Sequence, residues 1–456
     1  MDADAIVIGA GQAAVPLAVR LAKSGRRTLL VERSRLGGTC VNYGCTPTKT
    51  MVASARAAHV ARTSGRLGVE CGVPRVDFKA IVARKDAVVR QWREGIQSRL
   101  EGARDHLRVV HGHARFTGER EIEAAGERHR AEIFVIDVGV RPATPEIEGL
   151  AALPWLDNRR VMELEALPEH LVVIGGGYIG CEFAQMFRRF GAAVTVVQRG
   201  SHLLDREDPD VSEALEGVFS AEGIDVVVGA GVRRAAAGAS GVAITLQDGR
   251  RIDGSHVLVA VGRRPNTDDL GCERAGIGLD GRGFIKVDDR YRTSAEGIYA
   301  VGDVTGGPQF THTAWDDHRI LFDVLTGRSA RSRSGRVIPY VVFTDPQVAG
   351  VGLNEREARA RGVRFDVAKM PFGQVARAIE IDETAGLLKL LVDPQTERIV
   401  GANIVGAEAG ELIHVFAALM QAGATARAVV DVEMAHPTFA EGVQSVAMQL
   451  PRYALG

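Results

Sequence analysis

The run Asp4 to Ile8, closed by Gly9-Ala10-Gly11-Gln12-Ala13-Ala14, constrains this chain more than any other feature. A β-branched run that ends in G-x-G-x-x-A and opens a helical pattern to about Ser24 reads as a strand–turn–helix unit built to receive a phosphate on the helix N-terminus. Gly9 permits the tight turn, Gly11 lets the backbone approach a pyrophosphate, and the small Ala14 allows helix and strand to pack closely. A second strand, Arg27 to Val31, ends at Glu32, where a carboxylate can accept from ribose hydroxyls. The device recurs after the run from Leu171, with Gly175, Gly177 and Gly180 in the glycine positions and Tyr178 and Ile179 between them. Two such units imply two bound dinucleotides. At the end of the strand Ala193 to Val197 the second unit carries Gln198-Arg199 in place of an acid. Arginine there accommodates a 2′-phosphate, so NADPH is the expected nucleotide, with NADH as the alternative.

The remaining pattern divides the chain further. A helical period runs from about Lys79 to Leu107, and strands are expected at Val109 to Phe116 and Ala131 to Val138. Pro142, Pro145 and Pro154 mark a linker. Further strands are expected at Asp225–Val228, Val242–Leu246 and His256–Val261, and the second unit closes near Gly262. A last segment, from near Val337, mixes strands (Tyr340–Phe343, Leu387–Val392, Ile399–Val405) with helices (Glu355–Arg361, Glu411–Gln421). The predicted class is α/β, with two Rossmann-like dinucleotide-binding domains followed by an α+β domain.

Lysine plus arginine (56) nearly balance aspartate plus glutamate (57), so nothing favours nucleic acid or an anionic membrane as a partner. No apolar run reaches the ~20 residues of a spanning helix, and the start lacks a signal-peptide pattern. A cytoplasmic location is expected. Five cysteines, an odd and low number, do not read as a secreted disulfide framework.

Two of those cysteines stand close together, in Gly37-Gly38-Thr39-Cys40-Val41-Asn42-Tyr43-Gly44-Cys45-Thr46-Pro47-Thr48-Lys49. C-x4-C does not suit one regular helix, because five residues turn through ~500°. It fits a distorted helix start, which Gly44 and Pro47 permit, and there the partial positive charge, joined by Lys49, favours a thiolate. No further Cys or His pair at ligand spacing lies nearby, so no metal site is expected. A dithiol needs a proton carrier, and His436-Pro437-Thr438-Phe439-Ala440-Glu441 offers a histidine with a carboxylate five residues on to orient it.

Together these residues resemble the class I flavoprotein disulfide reductases, the family of glutathione reductase, dihydrolipoamide dehydrogenase and mercuric reductase, from Ala5 to about Val446. The resemblance implies an FAD-binding domain from residues 1–148 and 263–334, an NAD(P)-binding domain at 149–262 and a dimerisation domain at 335–456. It implies electron flow from NADPH through FAD to Cys40–Cys45, and on to a small-molecule or protein disulfide or a related oxidant. Cys45 is then the thiol nearest the flavin and Cys40 the one that attacks substrate. Lys49 approaches the flavin and pairs with Glu182. Tyr178 covers the nicotinamide pocket and swings aside for the cofactor. His436 and Glu441 reach Cys40 of the other subunit, so the homodimer shares its active sites. FAD contacts fall on Gly9, Gly11, Ala14, Glu32, Gly38, Thr39, Lys49, Ala114, Gly139, Gly302, Asp303, Gln309, Phe310, Thr311 and His312. Nucleotide contacts fall on Gly175, Gly177, Tyr178, Ile179, Gly180, Glu182, Gln198, Arg199 and Gly262.

Two departures stand out. Asp137-Val138-Gly139 replaces the usual Ala-Thr-Gly before the linker. Arg206-Glu207-Asp208-Pro209, Pro308-Gln309-Phe310 and Val342 to Val348 are similar to mercuric reductases, yet the chain keeps His436 and Glu441 and ends Leu-Pro-Arg-Tyr-Ala-Leu-Gly without that branch's terminal cysteine pair. A disulfide reductase is therefore expected. The alternatives are a mercuric-reductase-like metal-ion reductase and a dihydrolipoamide-dehydrogenase-like component of a carrier complex.

Overall fold

The computed structural model describes residues 2–328 and 331–454. The last two residues of the terminal Leu-Pro-Arg-Tyr-Ala-Leu-Gly lie outside them. All four residues of β1 (Ala5–Ile8) are buried, as a strand covered on both faces requires. β1 lies at the centre of a five-stranded parallel sheet, in the order Ile298–Ala300, Ile133–Ile136, β1, β2 (Thr28–Glu32) and β3 (Leu107–His111). Helix α1 (Ala14–Lys23) buries Ala14, Leu17, Ala18 and Leu21 at helical spacing against it.

A second parallel sheet has the order Asp225–Val227, Ala193–Val197, His170–Ile174 and His256–Val259. The helix Tyr178–Phe190 packs beside it, burying Phe183, Phe187 and Phe190. Each such ring contributes roughly 2–3 kcal/mol when taken fully out of water. The C-terminal sheet is antiparallel: Tyr340–Val342, Gln347–Gly352, Ile399–Gly406, Leu387–Val392 and Asp366–Pro371. Helices Ala409–Gln421 and Ala440–Met448 complete its core with Ile413, Phe416, Val443 and Val446. The class is thus two parallel α/β layers followed by an α+β segment.

The chain forms two compact units. One holds residues 1–50, 82–143 and 262–336, the other 51–81, 144–261 and 337–456.

Three local expectations are corrected. The helix at Phe78–Glu101 ends before the expected Leu107, which instead begins β3. The expected strand Val109 to Phe116 is two strands, Leu107–His111 and Arg115–Gly118, the second in a small antiparallel sheet. They part at Gly112, whose N–H reaches back to Glu32 O (2.9 Å) while its backbone passes where a Cβ would lie 2.8 Å from Ala125 N. The strand expected at His256–Val261 stops at Val259.

Candidate active site

At the first glycine turn, bare backbone meets bare backbone. Gly9 has φ +97°, and a Cβ there would lie 2.3 Å from Asp137 O. A Cβ on Gly38 would lie 2.9 Å from Gly11 Cα. Glu32 closes the turn from β2: its carboxylate accepts from Ala10 N (2.8 Å) and Ser34 N (2.7 Å). Lone pairs remain on both oxygens for a ribose. This cradle of N–H groups and uncovered backbone fits the pyrophosphate and ribose of a dinucleotide.

The Asp137 departure has a structural consequence. Its carboxyl is buried at the α1 N-terminus, where Oδ2 accepts from Ala14 N (2.9 Å). Burial raises this carboxyl well above the usual carboxylate range, against those backbone bonds, and Asp303 and Asp317 push it the same way. Asp317 pins the adjoining turn, accepting from Gly302 N (2.8 Å), Tyr291 (2.6 Å) and Arg336 (2.8 Å). Burial pushes Asp303 up to about 6, opposed by Arg263. Ala114 is buried, Gly139 takes φ +63°, and Gln309 to His312 run into the helix Thr311–Thr326, with Phe310 and His312 stacked at 5.3 Å. The sequence reading missed Asp317 and Arg336 because they act through non-local bonds.

The cysteines sit at a break between two helices, α2 (Gly38–Tyr43) and α3 (Cys45–Thr63). Gly44 makes the break possible, since a Cβ there would lie 3.0 Å from Thr39 O and 3.2 Å from Cys40 Cα. Cys45 is thereby the first residue of a 19-residue helix, with Pro47 in its first turn. Its Sγ lies 3.4 Å from Thr311 Oγ1. The two sulfurs are not joined by a disulfide in this structure. Cys40 is pushed far up, first by its hydrogen bond with Cys45, then by burial, while Thr311 and Lys49 pull the other way. Cys45, first in its helix and within reach of the Thr311 hydroxyl, has the surroundings that favour a thiolate.

The second glycine turn repeats the first. Gly175 has φ +110°, with a Cβ position 2.6 Å from Ala260 O. A Cβ on Gly180 would lie 1.9 Å from Gly175 O, so no side chain fits. Gln198 takes the place of Glu32: its Oε1 accepts from Gly176 N (3.0 Å) and its Nε2 donates to Asp205 (3.3 Å). Arg199 is exposed, with no hydrogen bond or ion pair among the described residues. Tyr178 and Ile179 open the helix, and Glu182 is buried with Oε1 accepting from Phe343 N (2.9 Å). Gly262 belongs to the first unit, where its carbonyl accepts from Ala143 N (2.9 Å).

His436 Nδ1 lies 2.9 Å from Glu441 Oε1, and Glu441 Oε2 accepts from Thr438 N (2.9 Å). The Thr438 backbone bond, then His436, holds the Glu441 carboxyl below its ordinary range. The imidazole is 71% exposed, with Nε2 left for a substrate or partner. Cys40, Cys45 and Lys49 belong to the first unit; His436, Glu441 and Glu182 belong to the second. Among the described residues no three His, Cys, Asp or Glu side chains gather as a metal site, and no helix is long and apolar enough to cross a membrane.

Residues 3–317 match the family described as pyridine nucleotide-disulphide oxidoreductase, and residues 338–447 match its dimerisation domain. A mercuric reductase of Staphylococcus aureus is 33% identical over 451 residues, covering 98% of this chain and 82% of that protein. A dihydrolipoyl dehydrogenase of Thermus scotoductus is 35% identical over 457 residues, covering 99% and 98%. The solved structure of the HOCl-induced flavoprotein disulfide reductase RclA from Escherichia coli superposes with a TM-score of 0.89 at 34% identity, covering 97% of this chain and 99% of that one. With its two glycine turns, its vicinal thiols and this span of likeness, the chain belongs to the pyridine nucleotide-disulphide oxidoreductases, flavoprotein enzymes that use FAD and a nicotinamide nucleotide.

Proposed function

We propose that the chain is an NADPH-dependent disulfide reductase whose working groups are Cys40, Cys45 and, from the other subunit of a homodimer, His436. The observation that carries this reading is the thiol pair: Cys45 opens its helix with Sγ 3.4 Å from the Thr311 hydroxyl, and its hydrogen bond with Cys40, together with burial, pushes the Cys40 thiol up. In this reading residues 1–148 and 263–334 hold FAD, residues 149–262 hold the nucleotide, and residues 335–456 form the dimer. FAD, when bound, supplies the two-electron connection between nucleotide and thiols.

The reduced pair then acts through its own atoms. A thiol whose proton is held by a neighbouring thiolate needs a base before it can attack. The Nε2 of His436, its ring oriented by Glu441, takes the Cys40 proton. The Cys40 thiolate attacks one sulfur of the substrate disulfide, forming a mixed disulfide and expelling a thiolate that recovers the proton from His436. Cys45 then attacks Cys40 Sγ, closing the Cys40–Cys45 disulfide and releasing the second thiolate. Two electrons leave the protein, and one substrate disulfide becomes one thiol and one thiolate, the latter taking its proton from solvent. Arg199, exposed beside Gln198, supports NADPH over NADH.

The test is turnover of a model aromatic disulfide by NADPH. Cys40→Ser and Cys45→Ser should each lose it while retaining bound FAD and direct electron transfer to a quinone. Retained disulfide turnover in either variant would refute the assignment. A second reading, reduction of a thiophilic metal ion as substrate, is favoured by the mercuric reductases among the relatives and by a solved Cu(II) complex of RclA. NADPH oxidation stimulated by Hg(II) or Cu(II), and lost in both cysteine variants, would support it.

A further inference from the structure

A buried cluster in the second unit is used by none of the steps above. Tyr178, the first residue of its helix, donates its hydroxyl to Glu207 Oε1 (2.8 Å), and Tyr340 donates to Glu207 Oε2 (2.5 Å). The two rings stack with centroids 5.8 Å apart and an interplanar angle of 15°. Asn403 Nδ2 donates to the Tyr340 hydroxyl oxygen (3.0 Å) and to Glu207 Oε2 (3.4 Å). Glu207 itself is 4% exposed.

The surroundings are built for this arrangement. Gly350 leaves room for it: a Cβ there would lie 2.3 Å from the Tyr340 hydroxyl. The residue after Glu207 is fixed as well. Asp208 accepts from Glu355 N (3.0 Å), Arg356 N (3.1 Å) and the fully buried Lys389 Nζ (2.8 Å). The backbone that carries Glu207 is therefore anchored beside the tyrosines. Burying a carboxylate is costly unless its oxygens are occupied, and here two phenols and an amide occupy them. Burial raises the Glu207 carboxyl, while the two tyrosine hydroxyls act in the opposite direction.

We propose that Glu207 is a positioning residue that fixes Tyr178 against Tyr340, and that this clamp sets how tightly the nicotinamide half of the nucleotide is held. The inference rests on the reading that Tyr178 stands at the nicotinamide pocket. Tyr178 follows the glycine turn directly, and in this proposal the clamp holds its ring in the swung-aside position, bordering the nicotinamide rather than obstructing it. A clamped ring keeps one side of the pocket preformed, and a free ring must be ordered each time the nucleotide binds.

Two ligands separate the clamp from a general structural role: NADP+, and 2′,5′-ADP, which lacks the nicotinamide. Their dissociation constants are measured by calorimetry on the FAD-loaded dimer. In Glu207→Gln, NADP+ should bind about three- to tenfold more weakly, the scale of ordering one aromatic side chain, with 2′,5′-ADP unchanged. Tyr340→Phe should act in the same direction by less, and it keeps the test open if Glu207→Gln does not fold. Tyr178→Phe should reproduce the Glu207→Gln effect, and the double variant should be no worse than either single one. Equal weakening of both ligands, unchanged or tighter NADP+ binding, or an undiminished Glu207→Gln effect in the Tyr178→Phe background would overturn the proposal. If Tyr178→Ala leaves NADP+ affinity intact, the nicotinamide reading fails and the clamp fails with it. If Tyr178→Ala weakens NADP+ while Glu207→Gln does not, only the clamp fails.

Discussion

Two glycines of one motif should respond differently in stability to the same substitution. An alanine at Gly180 would place its Cβ 1.9 Å from Gly175 O and 3.0 Å from Gly175 C. Carbon and a carbonyl oxygen rest at ~3.3 Å, so the helix Tyr178–Phe190 would have to retreat by more than 1 Å from the turn that starts it. Overpacking of this kind costs about 1–3 kcal/mol and sometimes more. The better helix propensity of alanine returns at most ~1 kcal/mol. We expect Gly180→Ala to lower unfolding stability by about 1–2 kcal/mol and to abolish nucleotide binding, because the displaced backbone is the proposed phosphate site. At Gly177 nothing lies within 4 Å of the Cβ position, and φ is −80°. Gly177→Ala should therefore stay within about 0.5 kcal/mol of the parent, as surface changes usually do. Yet it should weaken NADP+ about tenfold, because that open space is the proposed meeting place of the pyrophosphate and bare backbone. Denaturant unfolding and NADP+ calorimetry on both variants provide the test. A Gly180→Ala protein as stable as the parent, with normal NADP+ binding, would refute the close-approach reasoning. So would a Gly177→Ala protein destabilised as much as Gly180→Ala.

Three further outcomes are expected. Arg199→Ala should weaken NADPH about ten- to a hundredfold, on the scale of the ~1.5–3 kcal/mol of a charged hydrogen bond, and leave NADH almost unchanged; equal effects on both would remove Arg199 from nucleotide choice. Burial pushes His318 down from 6.5 to about 4, helped by Arg20. It stays neutral in the fold while the unfolded chain takes up a proton, so stability should fall as pH drops from about 6.5 to about 4. His318→Gln should flatten that slope in denaturant unfolding, and an unchanged slope would contradict the assignment. Mixing Cys40→Ser subunits with His436→Ala subunits should restore part of the disulfide turnover that each homodimer lacks. No recovery in purified heterodimers would contradict an active site shared between subunits.

What the sequence disclosed follows from locality. Gly9, Gly175 and Gly180 are legible because each is required by a turn a few residues long, and His436 with Glu441 because five positions span the whole interaction. Gly44 was legible as a helix break for the same reason. Glu207 was not: Tyr340 and Asn403 lie 133 and 196 positions away in the chain, and no spacing rule joins them. Asp137 was visible as a departure, but its burial at the α1 N-terminus depends on a partner 123 positions away. Short strands such as Glu127–Arg130, made entirely of charged and polar residues, carry no hydrophobic alternation for a sequence reading to find.

The claim that joins these parts is that two electrons entering from the nucleotide come to rest on Cys40 and Cys45, with the charge on Cys45. Anaerobic titration of the FAD-loaded protein with NADPH, followed by absorbance, tests it directly. The account predicts a broad long-wavelength band at two electrons per FAD, absent in Cys45→Ser and present with NADPH at lower concentration than with NADH. Bleaching of the flavin at two electrons without that band would show that the thiols lie outside the circuit, and would contradict the account.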